Sequence, residues 1–187
     1  ELLFPTFSDI TYTCPDRAPK IEYYFSSPQD ETEQTLLRLA RRVIADHPFS
    51  ILNRKLRLEK AMVYSIGTGE YWWPRQEVAI AVGAEPESFD AIGQEIERAV
   101  QAVSEGDIPQ DTFDAVVGCE LLDFATQKHE IPGSEWEETL TGNWLDETLA
   151  TDVSHKKIVQ NATPGDLARA ARQYLAAGHG IFRTIQE

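Results

Sequence analysis

The chain has 187 residues, which is enough for one domain with a sizeable hydrophobic core. Its 31 acidic residues outnumber its 17 basic residues, and the net charge of −14 argues against the basic surface that nucleic-acid binding requires. No apolar run reaches the roughly 18 residues of a membrane span, so we expect neither a nucleic-acid partner nor a membrane-spanning helix. The acidic charge either serves solubility alone or attracts basic peptides at long range.

The first nineteen residues contain three prolines, which predicts an irregular lead-in over residues 1–19 with one short strand near Ile10–Thr13. The chain begins at Glu1 rather than at Met, and no basic segment followed by an apolar one marks a signal peptide. We therefore expect a domain excised or processed from a longer protein. No internal repeat or linker interrupts the chain, which indicates a single domain over residues 1–187.

The next segments predict one strand and two helices. Lys20–Ser26 is rich in aromatic and branched residues, as strands are. Apolar residues at helical spacing predict a helix over Thr32–Asp46, which His47-Pro48 ends. Ser50 is suited to cap a second, short helix that runs through about Glu59.

The period of the apolar residues then changes from helix to strand. Ala61–Gly67 predicts a strand, Gly67-Thr68-Gly69 predicts a turn, and Glu77–Ala84 predicts the strand that pairs with the first. Two glycines in this spacing also resemble part of a phosphate-binding loop, but they join strands here and do not open a helix.

Helical patterns dominate from residue 86 onward, and the chain closes with a strand over Gly180–Ile185. The predicted helices begin near Phe89, Pro109, Trp136 and Pro164. The order of elements predicts an α+β fold, in which helices pack on one face of a mostly antiparallel sheet.

Motifs that would name a reaction are missing from the sequence. None of the four histidines begins a paired-histidine zinc motif: Glu130 follows His129, but the fourth residue after it is Gly133. Cys14 and Cys119 are too far apart for a zinc knuckle. We therefore expect no zinc ligands and no catalytic residues in this chain, and we expect isolated histidines of this kind to lie at the surface.

One segment, SILNRKLRLEKAMVYSIGTG, carries a sharper pattern. It spans residues 50–69 and places Arg57 after Leu56, an acidic residue at Glu59, and Tyr64 seven residues after the arginine. This pattern resembles the helix-to-strand passage in the second-half domains of the pitrilysin/insulinase and mitochondrial processing peptidase family. The order of the flanking elements is similar from about Lys20 to the end of the chain, although Val63 stands where the family has Gly or Ala before the tyrosine.

The resemblance implies the C-terminal, non-zinc half of a zinc endopeptidase, which closes over peptide bound at a zinc site on a homologous domain or subunit. It implies that Arg57 and Tyr64, the latter in a strand, bind the substrate, and that zinc is a cofactor of the partner domain. The chemistry suits these roles, since guanidinium and phenol groups donate to a carbonyl that gains negative charge during hydrolysis. Two alternatives are a catalytically inactive scaffold or partner subunit and a free-standing peptide-binding module. On residue type alone, Arg57 fits a solvated helix residue and Tyr64 a core aromatic.

Overall fold

The computed structural model describes residues 9–71, 77–127 and 154–186, and five strands in these ranges form one mixed sheet. The strands are β1 (Ile10–Thr13), β2 (Lys20–Ser26), β3 (Ser65–Tyr71), β4 (Glu77–Gly83) and β5 (Gly180–Ile185). Their order across the sheet is β1-β5-β2-β4-β3. The β2–β4, β2–β5 and β3–β4 pairs are antiparallel, and β1 runs parallel to β5.

Helices separate the strands in the sequence. The α-helices are α1 (Glu31–Arg41), α2 (Phe89–Glu105), α3 (Gln110–Gln127), α4 (154–161) and α5 (Pro164–Ala170). Wider, π-helical turns continue α1 over Arg42–Asp46 and α5 over Ala171–Leu175, and a separate π-helical segment covers Asn53–Glu59.

Side chains and glycines at the helix ends explain where the helices begin and stop. The Asp30 carboxylate accepts a hydrogen bond of 3.0 Å from the backbone N–H of Glu33 at the start of α1. Thr163 and Asp166 form a reciprocal capping box at the start of α5. Gly106 ends α2 in the left-handed conformation (φ 92°), which glycine adopts without a steric cost.

The hydrophobic core lies between one face of the sheet and the helices. Alternation along β2 turns Ile21, Tyr23 and Phe25 toward the helices, and their partners on β4 are Val82, Ile80 and Val78. The helices contribute a larger set of buried apolar side chains: Leu36, Leu39, Val43 and Ile44 from the first helical stretch, Ile92, Ile96 and Val103 from α2, and Leu167, Ala171 and Leu175 near the end of the chain.

Most of the predicted elements are confirmed. β1, β2 and β5 have the predicted bounds, β4 ends one residue earlier than predicted, and the sheet is mostly antiparallel. Ser50 caps the short helical segment as expected, since its hydroxyl accepts a hydrogen bond from the N–H of Asn53 at 3.3 Å. The helix 154–161 was not predicted, and the predicted helix near Trp136 lies outside the described residues.

The prediction for residues 61–69 is wrong in its bounds. The strand begins at Ser65 instead of Ala61, and Gly67-Thr68-Gly69 lies inside β3 instead of forming a turn. The preceding helical segment extends its hydrogen bonding to Met62, whose N–H donates to the Leu56 carbonyl at 3.0 Å, and Ala61 reverses the chain at φ 51°. Pairing with β4 then holds the two glycines in extended backbone.

Candidate functional site

Arg57 and Tyr64 lie at the two ends of the connection between the helical segment Asn53–Glu59 and β3. Arg57 belongs to the last turn of the segment, and its side chain is exposed. Within the described part of the chain its guanidinium has no hydrogen-bond or ion-pair partner, so its donors face solvent. This position agrees with a solvated arginine and equally with an arginine that binds an external ligand.

The helical segment that carries Arg57 is anchored by two buried residues. Leu56 is fully buried in the core. Asn53 donates hydrogen bonds of 2.9 and 3.0 Å from Nδ2 to the carbonyls of Ala45 and His47, which ties the segment to the end of the preceding helical turn. Since these contacts fix the backbone, Arg57 is presented from a rigid element.

Ion pairs fix the end of the same segment. Glu59, the acidic position of the motif, accepts from Lys55 at 2.9 Å across one helical turn. Lys60 donates to Glu95 of α2 at 2.8 Å, and Arg98 reaches the same carboxylate at 2.8 Å. The hydrogen bond from Lys60 is the largest influence on the pKa of Glu95 and holds it below its usual value.

Tyr64 stands directly before β3, not inside a strand as the resemblance implied. Its N–H donates to the Gly83 carbonyl at 2.8 Å, so its backbone is nevertheless tied to the sheet. The side chain is 54% exposed, which rules out the core aromatic that residue type alone suggested. Its hydroxyl donates to the carboxylate of Glu85. Sequence analysis missed Glu85, because no local pattern links two residues on separate elements.

A buried arginine at the end of α1 contacts an edge strand of the sheet. Arg41 is 1% exposed and donates from Nη1 to the Gly69 carbonyl at 2.8 Å. This contact joins the end of α1 to β3, which forms one edge of the described sheet. The Gly69 carbonyl, on an edge strand with no further strand beside it in the described sheet, thus accepts a hydrogen bond from a charged donor.

The three described histidines occupy separate environments. His155 accepts from Arg38 at 2.6 Å, and the ring of His179 lies 4.7 Å from that of Tyr23. His47 is 6% exposed, so the expectation that it lies at the surface is wrong. His129 lies outside the described residues.

Burial, followed by the positive charge of Arg42, lowers the pKa of His47. The N–H of Phe49 donates to Nδ1 of His47 at 3.2 Å, so the neutral ring carries its proton on Nε2. Nε2 lies 3.3 Å from the sulfur of Cys119, to which it donates. His47 precedes the short helical segment and Cys119 lies in α3, so this hydrogen bond joins these two parts of the chain.

Over residues 9–71, 77–127 and 154–186, no group of three or more His, Cys, Asp or Glu side chains is arranged to hold a metal ion. In the same ranges no helix combines the length and the apolar character needed to cross a membrane.

Comparison with known proteins gives matches at the level of structure only. No family model and no curated protein matches the chain. A conserved protein from Enterococcus faecalis superposes with a TM-score of 0.80 at 12% identity, over 100% of this chain and 44% of that one. A peptidase M16 inactive domain from Pseudomonas fluorescens gives a TM-score of 0.74 at 11% identity, over 98% of this chain and 44% of that one.

The inactive peptidase domain of a protein from Bordetella parapertussis gives a TM-score of 0.70 at 17% identity, and the match covers 91% of this chain and 94% of that one. The chain spans less than half the length of the first solved structures that it matches. These likenesses agree with the fold that the Arg57–Tyr64 segment implied. The chain has the fold of the inactive domains of M16, or insulinase-type, peptidases.

Proposed function

We propose that this chain is the substrate-clamping half of a zinc-dependent endopeptidase, which closes over a peptide bound at a zinc site on another domain or subunit. The observation that carries the proposal is the exposure of Arg57 and Tyr64 on backbone that is fixed by buried anchors. Both residues keep the spacing of the family motif, and the fold is that of inactive peptidase domains.

The two side chains supply donors of different kinds. The Arg57 guanidinium offers several N–H groups and a fixed positive charge, which suit a peptide carbonyl or a carboxylate. The Tyr64 hydroxyl donates to Glu85 in this structure, so a substrate carbonyl has to replace Glu85 as the acceptor. Such a donor stabilises the transition state more than the bound substrate, because charge on the carbonyl oxygen grows during hydrolysis.

The catalytic half belongs to the partner in this proposal. The zinc ligands and the general base lie on that partner, as a homologous domain of the same polypeptide or as a separate subunit, and zinc there supplies the activated water. Support comes from the length comparison, since this chain accounts for 44% of two matched structures and leaves room for a second domain of similar size.

The test measures peptide hydrolysis by the protein that contains both halves. Arg57→Ala and Tyr64→Phe should each lower kcat/KM by about 10²-fold, the usual cost of one transition-state donor. Arg54→Ala is the matched control for the arginine, because Arg54 lies on the same helical segment and pairs with Asp111 at 2.6 Å. Tyr12→Phe is the control for the tyrosine, because Tyr12 is 52% exposed on the opposite edge strand β1.

Full activity in both site variants would refute the assignment of Arg57 and Tyr64. The scaffold alternative has its own support, since two of the matched structures are described as inactive domains. It predicts that the two-half protein hydrolyses no peptide, whichever variant is tested. The proposal requires hydrolysis by the unmodified two-half protein, so the same assay separates the two functions.

A further inference from the structure

A cavity of about 440 Å³ opens between β2, α2 and the end of the last helical stretch. We call it the α2 cavity. Two aromatic residues, Tyr23 and Phe25, lie at its floor on the helix-covered face of the sheet, and both are almost fully buried. The α2 cavity has the volume and the largely apolar lining of a small-molecule site. It shares no lining residue with the segment that carries Arg57 and Tyr64. Its apolar walls are formed by Ile96, Val100, Leu175 and Ala176.

Acceptor groups line the mouth along one ridge of α2. Glu97, Gln101 and Glu105 recur at four-residue intervals, so they project from the same side of the helix. The amide nitrogen of Gln101 donates to the Glu105 carboxylate at 2.9 Å, which orients that pair. Glu97 lies beside the aromatic floor, because its carboxylate accepts from the Tyr23 hydroxyl.

The Glu97 carboxylate is only weakly engaged by the protein. The Tyr23 hydroxyl donates to its Oε1 at 3.4 Å, well beyond the roughly 2.7 Å typical of such a bond, and His179 Nε2 lies 3.9 Å from the same oxygen. A carboxylate accepts several hydrogen bonds, so Glu97 retains capacity for a stronger donor. Its side chain is 56% exposed, which leaves it accessible from the mouth.

The cationic side chain at the mouth, Arg172, already forms one hydrogen bond within the protein. Arg172 donates from Nη2 to the Ser104 carbonyl at 2.7 Å, which holds its guanidinium against the end of α2. Glu97 and Glu105 give the lining two negative charges against the one positive charge of Arg172, so the net charge of the lining is negative. The net charge of −14 adds a field that attracts cations to the whole chain.

We propose that the α2 cavity binds a small organic cation with an apolar body, such as a primary amine that carries an aryl or short alkyl group. The ammonium lies against the exposed Glu97 carboxylate, where a charge-assisted hydrogen bond holds it. The apolar body fills the space between Val100 and Leu175. Occupancy of this site is independent of the clamping role of Arg57 and Tyr64.

The test follows ligand binding to the 187-residue chain by NMR, with the His179 imidazole as a reporter inside the cavity. The probes are phenethylamine, its anionic analogue 3-phenylpropionate and its neutral analogue 2-phenylethanol. Phenethylamine should shift the His179 signals in a saturable way and bind at least about tenfold more tightly than either analogue. Equal binding of the three probes would overturn the cation assignment, and tighter binding of the anion would assign the mouth to Arg172 instead.

Two variants locate the site. Glu97→Gln should weaken the binding of phenethylamine by about tenfold and leave the binding of 2-phenylethanol unchanged. Ala176→Trp should prevent the binding of every probe, because the larger side chain fills the mouth. Glu87→Gln is the matched control, because it removes the same charge from an exposed residue outside the cavity. The proposal fails if phenethylamine leaves His179 unaffected, or if Glu97→Gln and Glu87→Gln have the same effect. The Glu97 comparison stands by itself should Ala176→Trp fail to fold.

Discussion

The hydroxyl of Tyr64 donates a hydrogen bond to the carboxylate of Glu85, which lies 21 residues further along the chain. The contact joins the residue before β3 to the segment after β4, across the open end of the hairpin. The backbone N–H of Tyr64 also donates to the Gly83 carbonyl, so the residue is held both at its main chain and at its hydroxyl. An exposed tyrosine held in this way is a suitable donor to a ligand, and it contributes little to the core.

Truncation of an exposed side chain should change the stability of the protein much less than truncation of the buried Arg41. Arg57→Ala and Tyr64→Phe should change the free energy of unfolding by no more than about 0.5 kcal/mol, because both side chains face solvent. Arg41→Ala should cost about 3 kcal/mol, since it leaves a cavity and strips the Gly69 carbonyl of a charged donor. Urea denaturation of the three variants measures the difference. A large loss of stability in Arg57→Ala would show that this residue serves the fold.

Gly93 on α2 lies against the hydroxyl of Tyr23. A Cβ at residue 93 would come within 2.5 Å of that oxygen, so Gly93→Ala should destabilise the protein by about 1–3 kcal/mol although alanine is the better helix former. In a Tyr23→Phe background the obstructing oxygen is gone, and Gly93→Ala should become neutral or stabilising by up to about 1 kcal/mol. A double-mutant cycle measures the coupling, and additive effects of the two changes would contradict the contact.

Burial, with a contribution from the nearby Glu97 carboxylate, raises the pKa of Tyr23 to about 12. The folded state therefore keeps this phenol neutral over a range in which the unfolded chain ionises it. Its contribution to stability is complete below about pH 10 and is lost as the pH rises toward 12, an effect on the order of 2 kcal/mol. Absorbance titration should show one phenol ionising last, and Tyr23→Phe should remove that step. A last step that persists in Tyr23→Phe would belong to another tyrosine.

His47 should make the protein sensitive to acid. Burial and Arg42 lower its pKa, so below about pH 6.5 the unfolded chain binds a proton that the folded state takes up only at lower pH. The stability that the neutral ring provides is present above about pH 6.5 and is lost as the pH falls through the lowered value. NMR titration should find the His47 ring ionising below the ordinary range. His47→Gln should reduce the acid-dependent loss in urea denaturation, and an unchanged pH profile would argue against this linkage.

The isolated chain should bind no stoichiometric zinc and hydrolyse no peptide. The reason is the sequence, in which no two histidines have the spacing of a helical zinc site. Metal analysis after dialysis against trace zinc tests for bound zinc, and a fluorogenic peptide assay tests for hydrolysis. One tightly held zinc per chain would contradict the assignment of the metal to a partner.

Sequence patterns predicted the elements whose residue types favour one conformation. Lys20–Ser26 is rich in the aromatic and branched residues that favour strands, and Phe89–Glu105 carries apolar residues at helical spacing, so each segment favours one conformation. The same patterns failed at Gly67-Thr68-Gly69, where glycine signals a turn in isolation. Pairing with β4 and the hydrogen bond from Arg41 hold those residues in a strand, and both partners are distant in sequence.

The sequence by itself determined the α+β order of elements, the lack of a paired-histidine motif and the Arg57–Tyr64 spacing, because each depends on residue type and separation along the chain. Only the tertiary structure decided that Tyr64 is exposed and held by Glu85, that His47 is buried beside Cys119, and that the Tyr23 hydroxyl contacts Glu97. These relationships join residues from different elements. Their distances follow from how the strands pair and how the helices pack on the sheet, and no periodicity along the chain encodes these arrangements.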